Sequence, residues 1–506
     1  MEIASTGDPS PRTGRWWRIV LGPALASVIV VLGPGDTPTV AAMAAIAAWM
    51  AAWWVTEAVP IPVTALLPVA LFPLLGILDG KVTAALYFND TIFLFIGGFI
   101  FALAMQKWDL HRRIALRIIL TLGSSPMRLM LGFMVATWFL SMWISNTATT
   151  MMMVPMALAI IIQVKDQFGG EGVKTYAVGL LLGVAYSASI GGIATVIGTP
   201  PNLSFRRILT ILFPQAPEIS FADWFIFALP LSVVFLLACW GLLCRMFARD
   251  TGMEGQESDL FRREYDKLGR VSFEEKAVLV LFGLLVFLWM FRRDLFFIPG
   301  WSRLLPNPEL AYDGTVAIVI AIVLFLIPAR SRPGERLMDW ETAVKLKWGI
   351  VLLFGGGFAL AGGFAASGLS AWLGGQLSAF ADFPPIILVL VTCTAITFLT
   401  ELTSNAATIE MALPVLGSLA VAIEVNPLLL MVPATLSASC AFMLPVATPP
   451  NAIAFGTGEL PMKDMIRAGI ILNLIGVVFI TAAIYLLGIA ALGIDLGAMP
   501  DWAAGR

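Results

Sequence analysis

Two short polar clusters interrupt otherwise apolar sequence, and they match each other. The first reads Ser145-Asn146-Thr147-Ala148-Thr149, with Pro155 after it; the second reads Ser404-Asn405-Ala406-Ala407-Thr408, with Pro414 at the same offset. Each has a hydroxyl four residues upstream, Ser141 and Thr400. A second pair follows in the same order: Gly198-Thr199-Pro200-Pro201-Asn202 and Ala447-Thr448-Pro449-Pro450-Asn451, approached by Ser187-Ala188-Ser189 and Ser437-Ala438-Ser439. A single Ser-Asn cluster is ordinary helix-capping chemistry at a loop. Packing alone does not call for two different motifs repeated in order. Each Pro-Pro removes two backbone donors and disfavours helical geometry at the threonine before it. The freed carbonyls need partners that lipid does not offer. Together with Ser, Thr and Asn oxygens they make an uncharged, all-oxygen cage suited to a small alkali cation. Helices beginning near Thr147 and Ala406 would turn free N–H groups and positive dipole ends to the same place, and such ends bind carboxylates, sulfates and phosphates. Cation sites and an anion site thus fall at one locus.

The elements that position these clusters follow from composition. The 506 residues are 59% hydrophobic and 13% charged, with a mean hydropathy of +0.89. Soluble chains carry about 25% charged residues, so a soluble enzyme, a nucleic-acid binder and a disordered scaffold are excluded. Apolar stretches of bilayer-spanning length recur throughout, and the chain reads as an all-α polytopic membrane protein. Eleven spans are expected, at 17–33, 38–58, 61–78, 91–109, 176–204, 221–247, 274–291, 312–329, 347–366, 425–454 and 466–492. Regions 126–165 and 384–420 are apolar but broken by the two clusters, either crossing twice or dipping in and returning. The charged insert 248–272 shows no apolar period and reads as a loop. Segments 110–122 and 367–381 read as interfacial helices. Cys239, Cys244, Cys393 and Cys440 lie in apolar stretches and read as core residues. The polar first sixteen residues show no removable signal peptide.

Placing the N-terminus in the cytoplasm and the C-terminus outside puts all 31 Lys and Arg on the cytoplasmic side except Lys81, Arg206, Arg207, Arg292, Arg293, Arg303 and Arg506, as short-loop charge bias requires. Region 126–165 then starts and ends inside, and 384–420 starts and ends outside. The halves are inverted. Inverted repeats with interrupted helices are the architecture of secondary transporters, with the site near the midplane. No His, Cys or paired carboxylates stand where acid–base or nucleophilic catalysis would need them. Glu401 and Glu410 flank the second cluster, but near the matching places of the first stand Trp143 and Met151; Glu401 therefore reads as a structural hydrogen-bonding group. Glu57 and Asp90 sit at span ends. Arg206 and Arg207 are expected to snorkel outward.

The run from Thr403 to Trp502, with TSNAAT and LSASCAFMLPVATPPNAIAFG, together with SNTATT and GTPPN in the first half, resembles the divalent anion/sodium symporter (INDY-like) family, the solute carrier family 13 type of di- and tricarboxylate transporters. The resemblance implies an inverted-repeat elevator transporter of about eleven transmembrane helices plus two re-entrant hairpins, working as a homodimer in the cell membrane. It implies a cytoplasmic tail over 1–16, scaffold helices over 17–122 and 273–383, and transport elements over 123–247 and 384–494. The cytoplasmic loop 248–272 would separate the repeats, and an external tail would span 495–506. One sodium site would use Ser141, Ser145, Asn146 and Gly198, and the other Thr400, Ser404, Asn405 and Ala447. Substrate carboxylates would meet Asn146, Thr147 and Asn405 beside Ala406, with Thr199, Pro200, Thr448 and Pro449 lining the site. The implied cargo is a dicarboxylate such as succinate, malate or fumarate, with citrate as a tricarboxylate candidate. Sodium ions would be co-transported, with no organic cofactor and no nucleic-acid partner. A sulfate or other oxyanion symporter and a sodium-independent dicarboxylate exchanger of the same fold are the alternatives. One departure from the family pattern stands out: Ala406 occupies the place of a threonine.

Overall fold

The structure, a computed structural model, describes residues 16–34, 37–122, 125–168, 171–248 and 258–504. Expectations resting on 1–15, including Arg12 and Arg15, and on most of the insert before Ser258 lie outside the described residues. Among those described there are helices and no strands.

Helices α1 (Trp16–Leu32) and α2 (Pro38–Thr56) pack along each other. The stretch 61–78, expected as one span, is instead two short helices, α3 (Ile61–Thr64) and α4 (Leu67–Leu74). Pro62 and Pro68 each lack the N–H that a continuous helix needs and each sits in a first turn, where that loss costs nothing. Next come α5 (Gly80–Tyr87), α6 (Asp90–Lys107) and the amphipathic α7 (Leu110–Leu122). Region 126–165 forms α8 (Pro126–Ser141) and α9 (Asn146–Phe168), and span 176–204 divides into α10 (Glu171–Ile193) and α11 (Pro200–Leu212). After α12 (Phe221–Phe247), α13 (Ser258–Lys267), α14 (Phe273–Met290), α15 (Asp313–Leu326) and the short α16 (Trp340–Ala343), the second half repeats the pattern. It has α17 (Trp348–Ser367), the interfacial α18 (Leu369–Leu377), α19 (Pro385–Thr400), α20 (Asn405–Ala422), α21 (Leu428–Ser437), α22 (Pro449–Phe455) and α23 (Met462–Leu492), and ends in α24 (Asp501–Ala504).

Eight helices among the described residues are long and apolar enough to cross a membrane, or nine if α18 and α19, bent by 114°, count as one span. The expected spans 17–33, 312–329 and 425–454 are helical but fall short of 18 residues per helix.

Helix α13 corrects the reading of the insert as a loop. Phe261, Tyr265 and Leu268 stand at i, i+4 and i+7, the stripe of an amphipathic helix, and the dense charge around them hides that period. Buried Phe261 lies edge-on to Phe133, 5.6 Å away. Arg112 reaches Glu264 at 2.8 Å, and Arg113, over the Tyr265 ring, bonds Glu275 at 2.6 Å. The insert is thereby pinned to α7. Arg206 and Arg207 do not snorkel outward either. Arg206 lies 3.1 Å from Asp313 and 3.5 Å from Glu218, and Arg207 lies 3.6 Å from Asp90. Acids at the starts of α15 and α6 thus hold both arginines in place.

Two apolar cores result. The larger runs through α6–α15 and α19–α23 and contains all four cysteines, which are free and buried. The smaller is built on α2 and α17 with Tyr87 and Phe72, and reaches across to Ala406 and Ala407 of α20. Glycines on α17 permit that approach. A Cβ at Gly356 would meet Ala65 at 2.6 Å, and one at Gly357 would collide with the Glu410 carboxyl.

Candidate functional site

Each polar cluster is a break between two helices. After Ser141 the chain leaves α8 and turns through 142–145, and α9 begins at Asn146; after Thr400 it leaves α19, and α20 begins at Asn405. The Thr-Pro-Pro motifs also open helices. Thr199 and Thr448 are extended, with φ of −144° and −141°, and the following prolines take the first turns of α11 and α22. Four helix N-termini therefore surround one cavity of about 1040 Å³. Its walls include Ser145, Asn146, Thr147, Gly198, Thr199 and Pro200 from one repeat, and Ser404, Asn405, Ala406, Ala447, Thr448 and Pro449 from the other. Of the sequence-derived candidates only Ser141 and Thr400 do not line it. They are fully buried behind the tips.

Those two hydroxyls build matching constellations. Ser141 Oγ lies 2.6 Å from Asn146 Oδ1 and 2.7 Å from the Ala188 carbonyl oxygen. Thr400 Oγ1 lies 2.7 Å from Asn405 Oδ1 and 3.1 Å from the Ala438 carbonyl oxygen. A hydroxyl has one hydrogen for two oxygens, so with the amide oxygen turned inward each cluster holds more acceptors than donors. Turning the Asn146 amide aims its nitrogen at three acceptors, Ser141 Oγ at 2.6 Å, the Ala188 carbonyl at 3.2 Å and the Gly198 carbonyl at 3.3 Å. Converging uncharged oxygens of this kind suit a sodium-sized cation. Close approach is needed here. A Cβ on Gly198 would stand 2.6 Å from the Gly192 carbonyl oxygen. In the second copy Ala447 fills the corresponding place.

The last residue of each Pro-Pro motif does more than its position suggested. Asn202 Nδ2 donates to the Thr195 carbonyl at 2.8 Å and lies 3.2 Å and 3.3 Å from the carbonyls of Gly192 and Ile193. Asn451 Nδ2 donates to Ala441 and Leu444, both at 3.0 Å. Each asparagine is wholly buried and ties down the unwound chain that precedes its own helix. Their recurrence at one offset was the signal.

The acids divide by surroundings. Glu401, 3% exposed, accepts from the backbone N–H groups of Phe442, Met443 and Leu444 at 2.7, 2.8 and 3.0 Å, and from Asn473 Nδ2 at 2.7 Å. Its role is structural, as the sequence suggested. It anchors the unwound stretch between α21 and α22. Glu410 points away from the cavity, accepting from Ser204 Oγ of α11 with its second oxygen unpartnered. Trp143 packs edge-on to Phe282, 4.9 Å away, and takes no part in the polar site. Three charged residues also stand in the cavity wall: Glu57, which the sequence marked as a span-end acid, and Arg18 and Lys347, which were not among the site candidates.

Comparison with known proteins places this geometry. The family model described as the sodium:sulfate symporter transmembrane region matches residues 13–492. A Staphylococcus saprophyticus protein named sodium-dependent dicarboxylate transporter SdcS is 44% identical over 97% of this chain and 94% of its own length. A Staphylococcus aureus protein of the same name is 43% identical over 96% and 93%. Among solved structures, Neisseria gonorrhoeae MtrF, titled as illuminating a class of antimetabolite efflux pumps, aligns with a TM-score of 0.55 at 14% identity, covering 83% of this chain and 86% of its own. The Alcanivorax borkumensis YdaH transporter aligns with a TM-score of 0.54 at 13% identity over 96% and 98%. At such identities the likeness is one of fold.

Proposed function

The chain belongs to the sodium:sulfate symporter family, and we propose that it imports C4 dicarboxylates, such as succinate, together with sodium. It is a multi-pass membrane transporter and not an enzyme. The observation that carries the cargo assignment is the duplicated constellation, Ser141–Asn146–Ala188 and Thr400–Asn405–Ala438, set behind two helix tips that open into one cavity. The names of the Staphylococcus relatives, sodium-dependent dicarboxylate transporters, support both cargoes.

In this reading sodium is bound by Ser141, Ser145, Asn146 and Gly198 in one repeat and by Thr400, Ser404, Asn405 and Ala447 in the other. The substrate carboxylates take N–H and side-chain donors from Asn146, Thr147 and Asn405, beside Ala406, between Thr199-Pro200 and Thr448-Pro449. The chain supplies no cation at the tips themselves. A bare dianion there would cost several kcal/mol to desolvate, and accompanying sodium ions offset that cost. The hairpins α8–α9 and α19–α20 with α10–α12 and α21–α23 move as one transport body against the remaining helices, in a homodimer whose N-terminus is cytoplasmic and C-terminus external. Ala406 lacks the hydroxyl of the family pattern, a bond worth about 1.5–3 kcal/mol when made to a charged group, so restoring it with Ala406→Thr shifts the apparent affinity or the ranking of acids.

The test is a matrix of substrates against cations in proteoliposomes. Radiolabelled succinate uptake is expected with sodium outside and not with choline, and is competed by malate and fumarate more than by sulfate. Equal uptake in choline overturns the coupling, and stronger competition by sulfate moves the assignment to an inorganic oxyanion.

A further inference from the structure

The cavity is larger than its proposed cargo. At about 1040 Å³ it exceeds the range of roughly 300–1,000 Å³ typical of sites that enclose drug-sized ligands. A four-carbon diacid held at the tips leaves much of it unfilled. The charged groups of the wall come from outside the hairpins: Arg18 on α1, Glu57 at the end of α2, and Lys347 immediately before α17.

Lys347 is placed at a cost. It is the residue that caps the N-terminus of α17, where the helix dipole disfavours a cation. No carboxylate pairs with it among the described residues. Arg18 gives one of its five donors to the Thr56 carbonyl at 3.2 Å and lies 5.6 Å from the Trp17 ring. Glu57, held in the left-handed region at φ 46°, forms an ion pair with neither cation. The wall therefore carries a net positive charge, beside tips that carry none. An incoming carboxylate would supply the counter-charge that Lys347 lacks.

We propose that Arg18 and Lys347 form a second carboxylate-binding station in the cavity, which receives the anion as the hairpin tips release it towards the cytoplasm. This rests on the transport reading above. Because α1 and α17 lie outside the moving hairpins, the station belongs to the state in which the cavity stands as seen here, and it sets affinity on one membrane face only.

The test uses the full-length protein reconstituted in proteoliposomes. Half-saturation for succinate is measured separately from the cytoplasmic face, by efflux and counterflow, and from the external face, by uptake. Lys347→Gln is expected to raise the cytoplasmic half-saturation about tenfold, the scale of one lost charge-assisted contact, while the external value moves far less. Lys347→Arg restores most of the loss, and Arg18→Gln adds to it. Raising ionic strength shrinks the wild-type advantage, as screening of a partly exposed charge requires. Equal shifts on both faces, or no shift in variants that still transport, overturn the station. If the wild type carries sulfate and not succinate, the cargo reading fails by itself, and the same two-face comparison with sulfate still decides this inference.

Discussion

Replacing Glu401 with glutamine isolates the part of the site that no ligand touches. The carboxylate gathers three backbone N–H groups and the Asn473 amide, which hold the chain between α21 and α22 without helix or strand. Glutamine keeps one acceptor oxygen and sets an NH2 group against the Leu444 N–H. One charge-assisted bond, about 1.5–3 kcal/mol, is lost, and three others fall to the neutral value of about 0.5–1.5 kcal/mol each. The sum is roughly 4.5–7.5 kcal/mol, concentrated on the stretch that runs from the Ala438 carbonyl, which Thr400 bonds, to Ala447 of the second proposed sodium site. If even ~1.4 kcal/mol of it is felt as a smaller population of ordered site, the apparent sodium affinity falls tenfold. The assay is succinate uptake against sodium concentration, alongside thermal unfolding of the purified protein with and without sodium. Glu401→Gln is expected to unfold earlier, to need about ten times more sodium and to recover much of its rate when sodium is raised. Wild-type unfolding and an unchanged sodium dependence would refute the anchoring role.

Three further outcomes follow from the geometry. Asn146→Ala or Asn405→Ala each removes an amide shared by a tip and its buried hydroxyl, so uptake should fall at least about a hundredfold, two contacts at one decade each, in protein that still elutes as the folded species on size exclusion. Gly357→Ala drives a methyl into the Glu410 carboxyl across the α17–α20 contact; overpacking of this kind costs about 1–3 kcal/mol, and Glu410→Ala in the same chain should return the lost thermal stability. Asp339 caps α16 and bonds Lys107 at 2.5 Å, and that bond with the helix N–H holds its carboxyl down at about 2 from an ordinary 3.8. A depressed acid contributes stability above its unfolded pKa and loses it as pH falls through the folded one. The advantage of wild type over Asp339→Asn, at most about 1 kcal/mol for so exposed a pair, should hold at pH 7, shrink below about pH 4 and vanish near pH 2 in thermal melts.

Much of the site was legible because it is duplicated. The Ser-Asn clusters and Thr-Pro-Pro motifs mark where helices stop and start, since Ser and Asn favour helix starts and a Pro-Pro pair, lacking two donors, fits a first turn and not an interior. The structure puts the breaks at those places and gathers both sets around one cavity. Ser141 and Thr400, marked only by their offset, prove to stand behind the tips on matching carbonyls. Legibility failed where one cue masked another. The stripe Phe261–Tyr265–Leu268 is hidden by charge, and 61–78 looks like one span by hydropathy although its prolines restart the helix. Arg206 and Arg207 find Asp313, Glu218 and Asp90, partners distant in sequence that no local pattern reveals. Arg18 and Lys347 are ordinary span-end cations until tertiary packing turns them into the cavity wall.

The central claim is that anion and sodium cross together. Simultaneous flux of labelled sodium and labelled succinate into the same proteoliposomes tests it most directly. Sodium influx that appears only with succinate, rises with it at a fixed ratio and disappears in Asn405→Ala is the expected result. Succinate influx that proceeds with no accompanying sodium would contradict the account.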